Sequence, residues 1–165
     1  MRRPVEPDAP PGAWTLRRAQ AADVDRIVDI EKDGFLHPWS RELIERELGH
    51  SWSRVLLACA TDASGDERVL GYIVFWIVHD EVHVLNVATA PEARRRGVGR
   101  ALMEAAEEEG RSRGTRLSTL EVRRSNAGAI ALYREIGYRQ VGTRPKYYAE
   151  ENEDAIVMTL EFDPG

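Results

Sequence analysis

The sequence predicts a mixed α/β fold, on three observations. Apolar residues alternate with period two in some segments and recur at helical spacing in others, in the order β-α-α-β-β-β-α-β-α-β-β. Several neighbouring strand segments are joined by short polar turns, the mark of antiparallel pairs. One strand, HVLNVATA, is instead separated from the next, TRLSTLEV, by a glycine-containing turn and a helix, which predicts a parallel crossover.

Each element has its own signal. WTLRRA reads as a short strand, and AADVDRIVDIEKDGF as a helix whose Val24, Ile27, Val28 and Ile30 form one apolar stripe. Pro38 breaks the helical pattern in FLHPW, and Ser40 caps a second helix with Leu43, Ile44 and Leu48 turned inward. RVLLACAT and RVLGYIVFWIV form a hairpin around DASGDE. HVLNVATA follows, then a helix from Val98 to about Arg113, the strand TRLSTLEV and the helix SNAGAIALYREI. YRQVGTR and DAIVMTLEF close the chain as a strand pair.

Composition narrows the function. The 165 residues carry 23 basic and 28 acidic side chains for a formal charge of −5, with 42% hydrophobic content, which suits a soluble domain. We expect residues 1–13, which hold four of the eight prolines, to be a flexible tail, and residues 14–163 to form a single domain. Cys59 is the one cysteine, so no internal disulfide and no thiolate metal cluster is available, and a reducing, cytoplasmic setting is expected. The longest apolar run, Val69 to Val78, is about half of what a membrane-spanning helix needs. No membrane partner is therefore expected, and because one arginine cluster on an acidic domain gives no extended basic stripe with interleaved aromatics, no nucleic acid is expected either. His79 and His83 sit four apart, but in an extended chain that is about 13 Å, too far to share a zinc ion, and no metal is expected.

The strongest chemical signal is the turn before the central helix. Arg94, Arg95, Arg96 and Arg100 crowd a helix N-terminus, where the backbone dipole is already positive and a further cation is disfavoured. Gly97 and Gly99 let backbone N–H groups approach an anion closely. A phosphate or pyrophosphate is the natural occupant, and a solvated arginine face is the alternative. The turn lacks the Gly-Lys-Ser/Thr of a P-loop, and Leu102 stands where a dinucleotide fingerprint needs its third glycine.

Arg94-Arg95-Arg96-Gly97-Val98-Gly99 resembles the Arg/Gln-x-x-Gly-x-Gly/Ala loop of the GCN5-related N-acetyltransferase (GNAT) family. LNVATAPEARRRGVGRAL, LEVRRSNAGAIALYREIGY and RPKYY with DAIVMTL extend the likeness, in particular to the branch that acetylates ribosomal-protein alanine. The resemblance implies the GNAT fold, a mixed central sheet with flanking helices and two splayed parallel strands, here HVLNVATA and TRLSTLEV. It implies acetyl-CoA as cosubstrate, with Val87, Ala88 and Thr89 along its thioester arm. Arg94, Arg95, Arg96, Gly97, Val98, Gly99 and Arg100 would hold the pyrophosphate, and Asn126 would contact the cofactor. Glu121 falls on the family's base and Tyr133 on its acid, while a backbone N–H from Asn86 to Ala88 would meet the carbonyl oxygen. Phe35, Trp39, Tyr147 and Tyr148 lie in segments that flank the family's peptide groove, and the implied acceptor is a protein or peptide N-terminus, such as that of ribosomal protein S18. Arg94, where glutamine is frequent, and the proline-rich tail depart from the family pattern.

These residues also have ordinary readings. Glu121 could be a strand-end carboxylate paired with Arg123 or Arg116, Tyr133 a core-edge aromatic and Asn126 a helix cap. Phe35, Trp39 and the tyrosine pair could pack locally, and Glu81, a candidate for the substrate ammonium, could simply be solvated. Cys59 among alanines and leucine reads as a small buried hydrophobe. An N-terminal amine, with a pKa of about 8, is partly neutral at pH 7 whereas lysine, at about 10.4, is almost wholly charged, so a modest base suffices for the former. Transfer to a small amine or a lysine, or acyl-CoA binding without catalysis, remain open readings.

Overall fold

The structure, a computed structural model, describes residues 14–35, 37–148 and 152–163, and the expected flexible tail lies outside these residues. The chain divides into two compact units, residues 1–75 with 86–105 and residues 76–85 with 106–165. Strands β3 (Glu67–Val78) and β4 (Glu81–Thr89) and helix α3 (Val98–Ser112) each contribute residues to both.

In the first unit, β1 (Thr15–Arg18) pairs antiparallel with β2 (Ser53–Thr61), Thr15 opposite Cys59 and Arg18 opposite Leu56. A 3-10 turn, Ala21–Asp23, leads into α1 (Val24–Gly34). The predicted stripe of Val24, Ile27, Val28 and Ile30 is buried, and Glu31 is buried beside it. Ser40 caps α2 (Arg41–Gly49), its Oγ accepting from Leu43 N at 3.2 Å. Of the residues expected to face inward on α2, Ile44 is fully buried while Leu43 and Leu48 are only half-buried. Glu47 takes the inner position one turn after Ile44, and Ser53 Oγ satisfies its carboxylate at 2.8 Å. Cys59 is buried, as a small hydrophobe at that position should be.

The second unit contains β5 (Leu117–Arg123), α4 (Ala127–Ile136), β6 (Arg139–Tyr148) and β7 (Glu153–Glu161). The seven strands hydrogen-bond in the order β1-β2-β3-β4-β5-β7-β6. The parallel ladder runs from Glu81 opposite Leu117 to Val84 opposite Leu120, and each strand then continues, β4 to Thr89 and β5 to Arg123. β7 lies between β5 and β6, antiparallel to both, with Glu121 opposite Val157 and Arg144 opposite Ala155. Register shifts between Gln140 and Gly142 and between Arg144 and Tyr148 interrupt the β6 ladder. Tyr138 Oη donates to Ser118 Oγ at 2.7 Å, tying the end of α4 to β5 through a buried bond.

Among the described residues, no helix is long and apolar enough to cross a membrane.

Candidate active site

The arginine turn is built by close approach in the first unit. A Cβ on Gly71 of β3 would stand 2.7 Å from the Ala88 carbonyl oxygen and 3.0 Å from Val98 Cγ1, so glycine is what lets the end of β4 and the first residue of α3 close on β3. Ala90 N donates to Leu70 O at 2.7 Å and fixes that approach. Arg95 (φ 65°) and Gly97 (φ 86°) take left-handed backbone on either side of Arg96. Alternations of this kind turn successive N–H groups into an anion-binding concavity.

α3 then begins at Val98 with no acidic residue in its first turn, so nothing in that turn offsets the positive end of its dipole. Arg94, Arg95, Arg96 and Arg100 are exposed. Arg94 lies 3.9 Å from Asp33 and Arg100 3.8 Å from Glu104, solvent-facing pairs worth at most about 1 kcal/mol each. Main-chain donors, a helix terminus and guanidinium groups together suit a diphosphate. Beside the turn, Ala88 is buried and Val87 and Thr89 are half-buried.

The segment expected to meet the acceptor follows α1 in the same unit. Phe35 and Trp39 are both half-buried. Phe35 N donates to the Glu31 carbonyl at 3.1 Å, and Trp39 N donates to Glu31 Oε2 at 2.7 Å. The other carboxylate oxygen accepts from the Tyr72 hydroxyl and from Asn86 Nδ2. Burial and the neighbouring Glu31 carboxylate push the Tyr72 hydroxyl well above its ordinary range, keeping it a donor. Sequence reading did not single out Glu31 or Tyr72. The available signal was position, because Glu31 comes four residues after Ile27 and three after Val28 and so falls on the apolar face of α1.

In the second unit, Glu121 lies half-buried on β5, whose buried positions are Ser118, Leu120 and Val122. Its Oε1 accepts from Arg144 Nε at 3.1 Å, and the Tyr147 hydroxyl bonds to the same carboxylate. Desolvation first, then the Glu121 charge, raise the Tyr147 hydroxyl above its usual value. Arg144 Cζ also lies 5.4 Å from the Tyr147 ring centroid, a cation–π contact. The structure thus joins one predicted catalytic residue to one predicted acceptor residue through an arginine that sequence reading missed.

The ordinary partners expected for Glu121 have ion pairs with other carboxylates. Arg123 pairs with Glu153 at 3.5 Å, and Arg116 with Asp80 at 2.7 Å and Glu81 at 3.1 Å. Chain order could not reveal this, since it is β7 that sets β6 and its Arg144 near β5. Glu81 is not simply solvated, because its oxygens meet Arg116 and His83, the latter at 3.1 Å.

Tyr133 on α4 is buried, its ring centroid 6.0 Å from that of Tyr138. Asn126 is exposed and caps α4, Oδ1 accepting from Ala129 N at 3.2 Å, so the cap reading holds. Tyr148 closes β6 opposite Glu153. Among the described residues, no group of three or more His, Cys, Asp or Glu could hold a metal ion.

The model of the acetyltransferase (GNAT) family matches residues 24–138. The ribosomal protein bS18-alanine N-acetyltransferase of Salmonella typhimurium is 34% identical over 148 residues, covering 88% of this chain and 96% of that one. Its Escherichia coli counterpart is 32% identical with the same coverage. The crystal structure of the Escherichia coli ribosomal-protein-S18-alanine N-acetyltransferase superposes with a TM-score of 0.81 at 30% identity, covering 93% of this chain and 96% of that one. Arabidopsis thaliana NAA60, solved in complex with acetyl-CoA, gives a TM-score of 0.80 over 91% of this chain and 99% of that one, and at 18% identity that likeness is one of fold.

Proposed function

Because the chain belongs to the acetyltransferase (GNAT) family and is an acetyl-CoA-dependent N-acetyltransferase, we propose that its acceptor is the N-terminal α-amine of a protein, in the manner of RimI, with ribosomal protein S18 as the target. The supporting observation is that relatives whose activity is alanine acetylation on ribosomal protein bS18 match over nearly their whole length. We place the activity in the cytoplasm, consistent with the single cysteine, and assign it to residues 14–163 as one catalytic domain.

The chemistry divides among this chain's residues. Backbone N–H groups of the Arg94–Gly97 turn and the first turn of α3, with the surrounding guanidinium groups, bind the diphosphate of acetyl-CoA. Val87, Ala88 and Thr89 line the thioester arm, and a backbone N–H between Asn86 and Ala88 meets the charge that develops on the carbonyl oxygen. Asn126 contacts the cofactor while its Oδ1 caps α4.

Acceptor recognition falls to Phe35, Trp39, Tyr147 and Tyr148, with Glu81 near the ammonium. Glu121 takes the proton from the α-ammonium, directly or through a water. The freed amine forms the C–N bond as the C–S bond breaks, in a direct transfer with no acyl-enzyme. Tyr133 supplies the proton that leaves with the thiol of CoA, and the second proton shed by the nitrogen as it becomes an amide passes through water to restore the tyrosine.

Mass spectrometry of a peptide library incubated with acetyl-CoA tests the proposal. The expected product carries one acetyl group on the α-amine of peptides beginning with alanine, the S18 N-terminus among them. Transfer confined to small amines or lysine side chains would overturn it.

A further inference from the structure

We infer that Glu31 is a positioning residue for the acceptor, holding Phe35 and Trp39 in a fixed relation to β4. This rests on the reading of Phe35 and Trp39 as acceptor-recognising residues given above. Glu31 is 1% exposed. A buried carboxylate is costly unless donors surround it, and leucine or methionine there would extend the apolar stripe of α1 at no such cost. What the carboxylate provides that an apolar side chain cannot is a directed link among three pieces of chain.

Three donors converge on it: the Tyr72 hydroxyl from β3, Asn86 Nδ2 from β4 and the main-chain N–H of Trp39. Asn86 Nδ2 also lies 3.2 Å from the Tyr72 oxygen, closing the set. Donors alone meet an acceptor-only group, so both carboxylate oxygens are used.

Glu31 also brackets the segment. Its carbonyl takes Phe35 N at one end and its side chain takes Trp39 N at the other. Pro38 has no N–H, so the tether falls on the next residue. Asn86 immediately precedes Val87 and Ala88, where the acyl carbonyl is assigned. One side chain therefore sets the distance from the segment that grips the acceptor to the strand that holds the donor.

The test compares Glu31→Ala, Glu31→Gln and Tyr72→Phe with the parent enzyme, using an S18 N-terminal peptide and acetyl-CoA. Glutamine keeps a carbonyl oxygen for Trp39 N, and phenylalanine removes one donor with little change of volume. Glu31→Ala is expected to raise the peptide KM by about 10-fold or more with the acetyl-CoA KM within about 2-fold of the parent. Glu31→Gln keeps the acceptor for Trp39 N but sets an amide donor against Tyr72 and Asn86, so its peptide KM should rise by about 3-fold, less than for alanine, and Tyr72→Phe should raise it by about 3-fold.

A rise in both KM values together, or a lower melting temperature with neither changed, would overturn the role. If the alanine variant does not fold, the glutamine and phenylalanine variants decide by the same split. Should the parent enzyme acetylate only another amine, the peptide reading fails, and the split measured with that amine still decides the role of Glu31.

Discussion

Replacing Gly71 by alanine places a methyl group where the end of β4 and the start of α3 meet β3. The new Cβ would lie 2.7 Å from the Ala88 carbonyl oxygen, 3.0 Å from Val98 Cγ1 and 3.3 Å from Thr89 Cα. Ordinary contact begins at 3.4 Å, so the Ala88 carbonyl has to retreat by 0.7 Å, and it belongs to the backbone and cannot swing away as a side chain could. Overpacking of this kind costs about 1–3 kcal/mol, which in a chain of this size lowers the melting temperature by about 3–10 °C.

The same shift displaces Ala88, Thr89 and Val98, the residues proposed to line the thioester arm and the diphosphate of acetyl-CoA. Displacement of a binding group by about 1 Å can cost on the order of 100-fold in rate. Calorimetry with acetyl-CoA and turnover on an S18 peptide read this out, and both should fall by about 10-fold or more at a temperature where the variant is folded. An alanine variant that melts with the parent and keeps its acetyl-CoA affinity would refute the assignment of Gly71 to that close approach.

Gly97→Ala has room for its methyl, the nearest atom being Trp14 Cη2 at 3.8 Å, so its cost is the left-handed φ of 86°, about 1 kcal/mol. Acetyl-CoA affinity should drop with little change in fold, as calorimetry and circular dichroism would show. Tyr133→Phe should lower kcat by about 100-fold or more while acetyl-CoA affinity persists, and unchanged turnover would remove Tyr133 from the chemistry. Asp23→Asn tests a structural charge: the Arg17 guanidinium, 2.7 Å away, holds the Asp23 carboxyl below the usual carboxylate range. A depressed folded value gives stability that is present above the unfolded pKa of about 3.9 and lost as pH falls through the folded one. The variant should therefore be less stable by about 1 kcal/mol at pH 7, with the gap to the parent closing below about pH 4, as urea unfolding at several pH values would reveal.

Periodicity carried most of the fold. The stripe of α1, the Ser40 cap, the hairpin and the crossover helix each have local signals, and each stands where those signals put it. What periodicity missed were acids on apolar faces. Glu31 and Glu47 carry the sequence mark of surface residues, and only three-dimensional donors such as Asn86, Trp39 N and Ser53 make their burial affordable. Strand order was equally hidden, because nothing in YRQVGTR or DAIVMTLEF tells which of them lies against β5. Arg144 as the partner of Glu121 was lost with it. The arginine turn was legible because its charge opposes the helix dipole locally, a conflict that needs no tertiary knowledge to detect.

The seat of β7 inside the sheet has a consequence for biosynthesis. Its residues, Glu153–Glu161, are translated after those of β5 and β6, yet they supply the antiparallel neighbour of the strand bearing Glu121 and the inner neighbour of the strand bearing Arg144. A nascent chain can therefore assemble β1 to β4 early, but Glu121 acquires its surroundings only once β7 has been made. Loss of Glu153–Glu161 would leave β5 and β6 each with an unpaired edge rather than a trimmed enzyme.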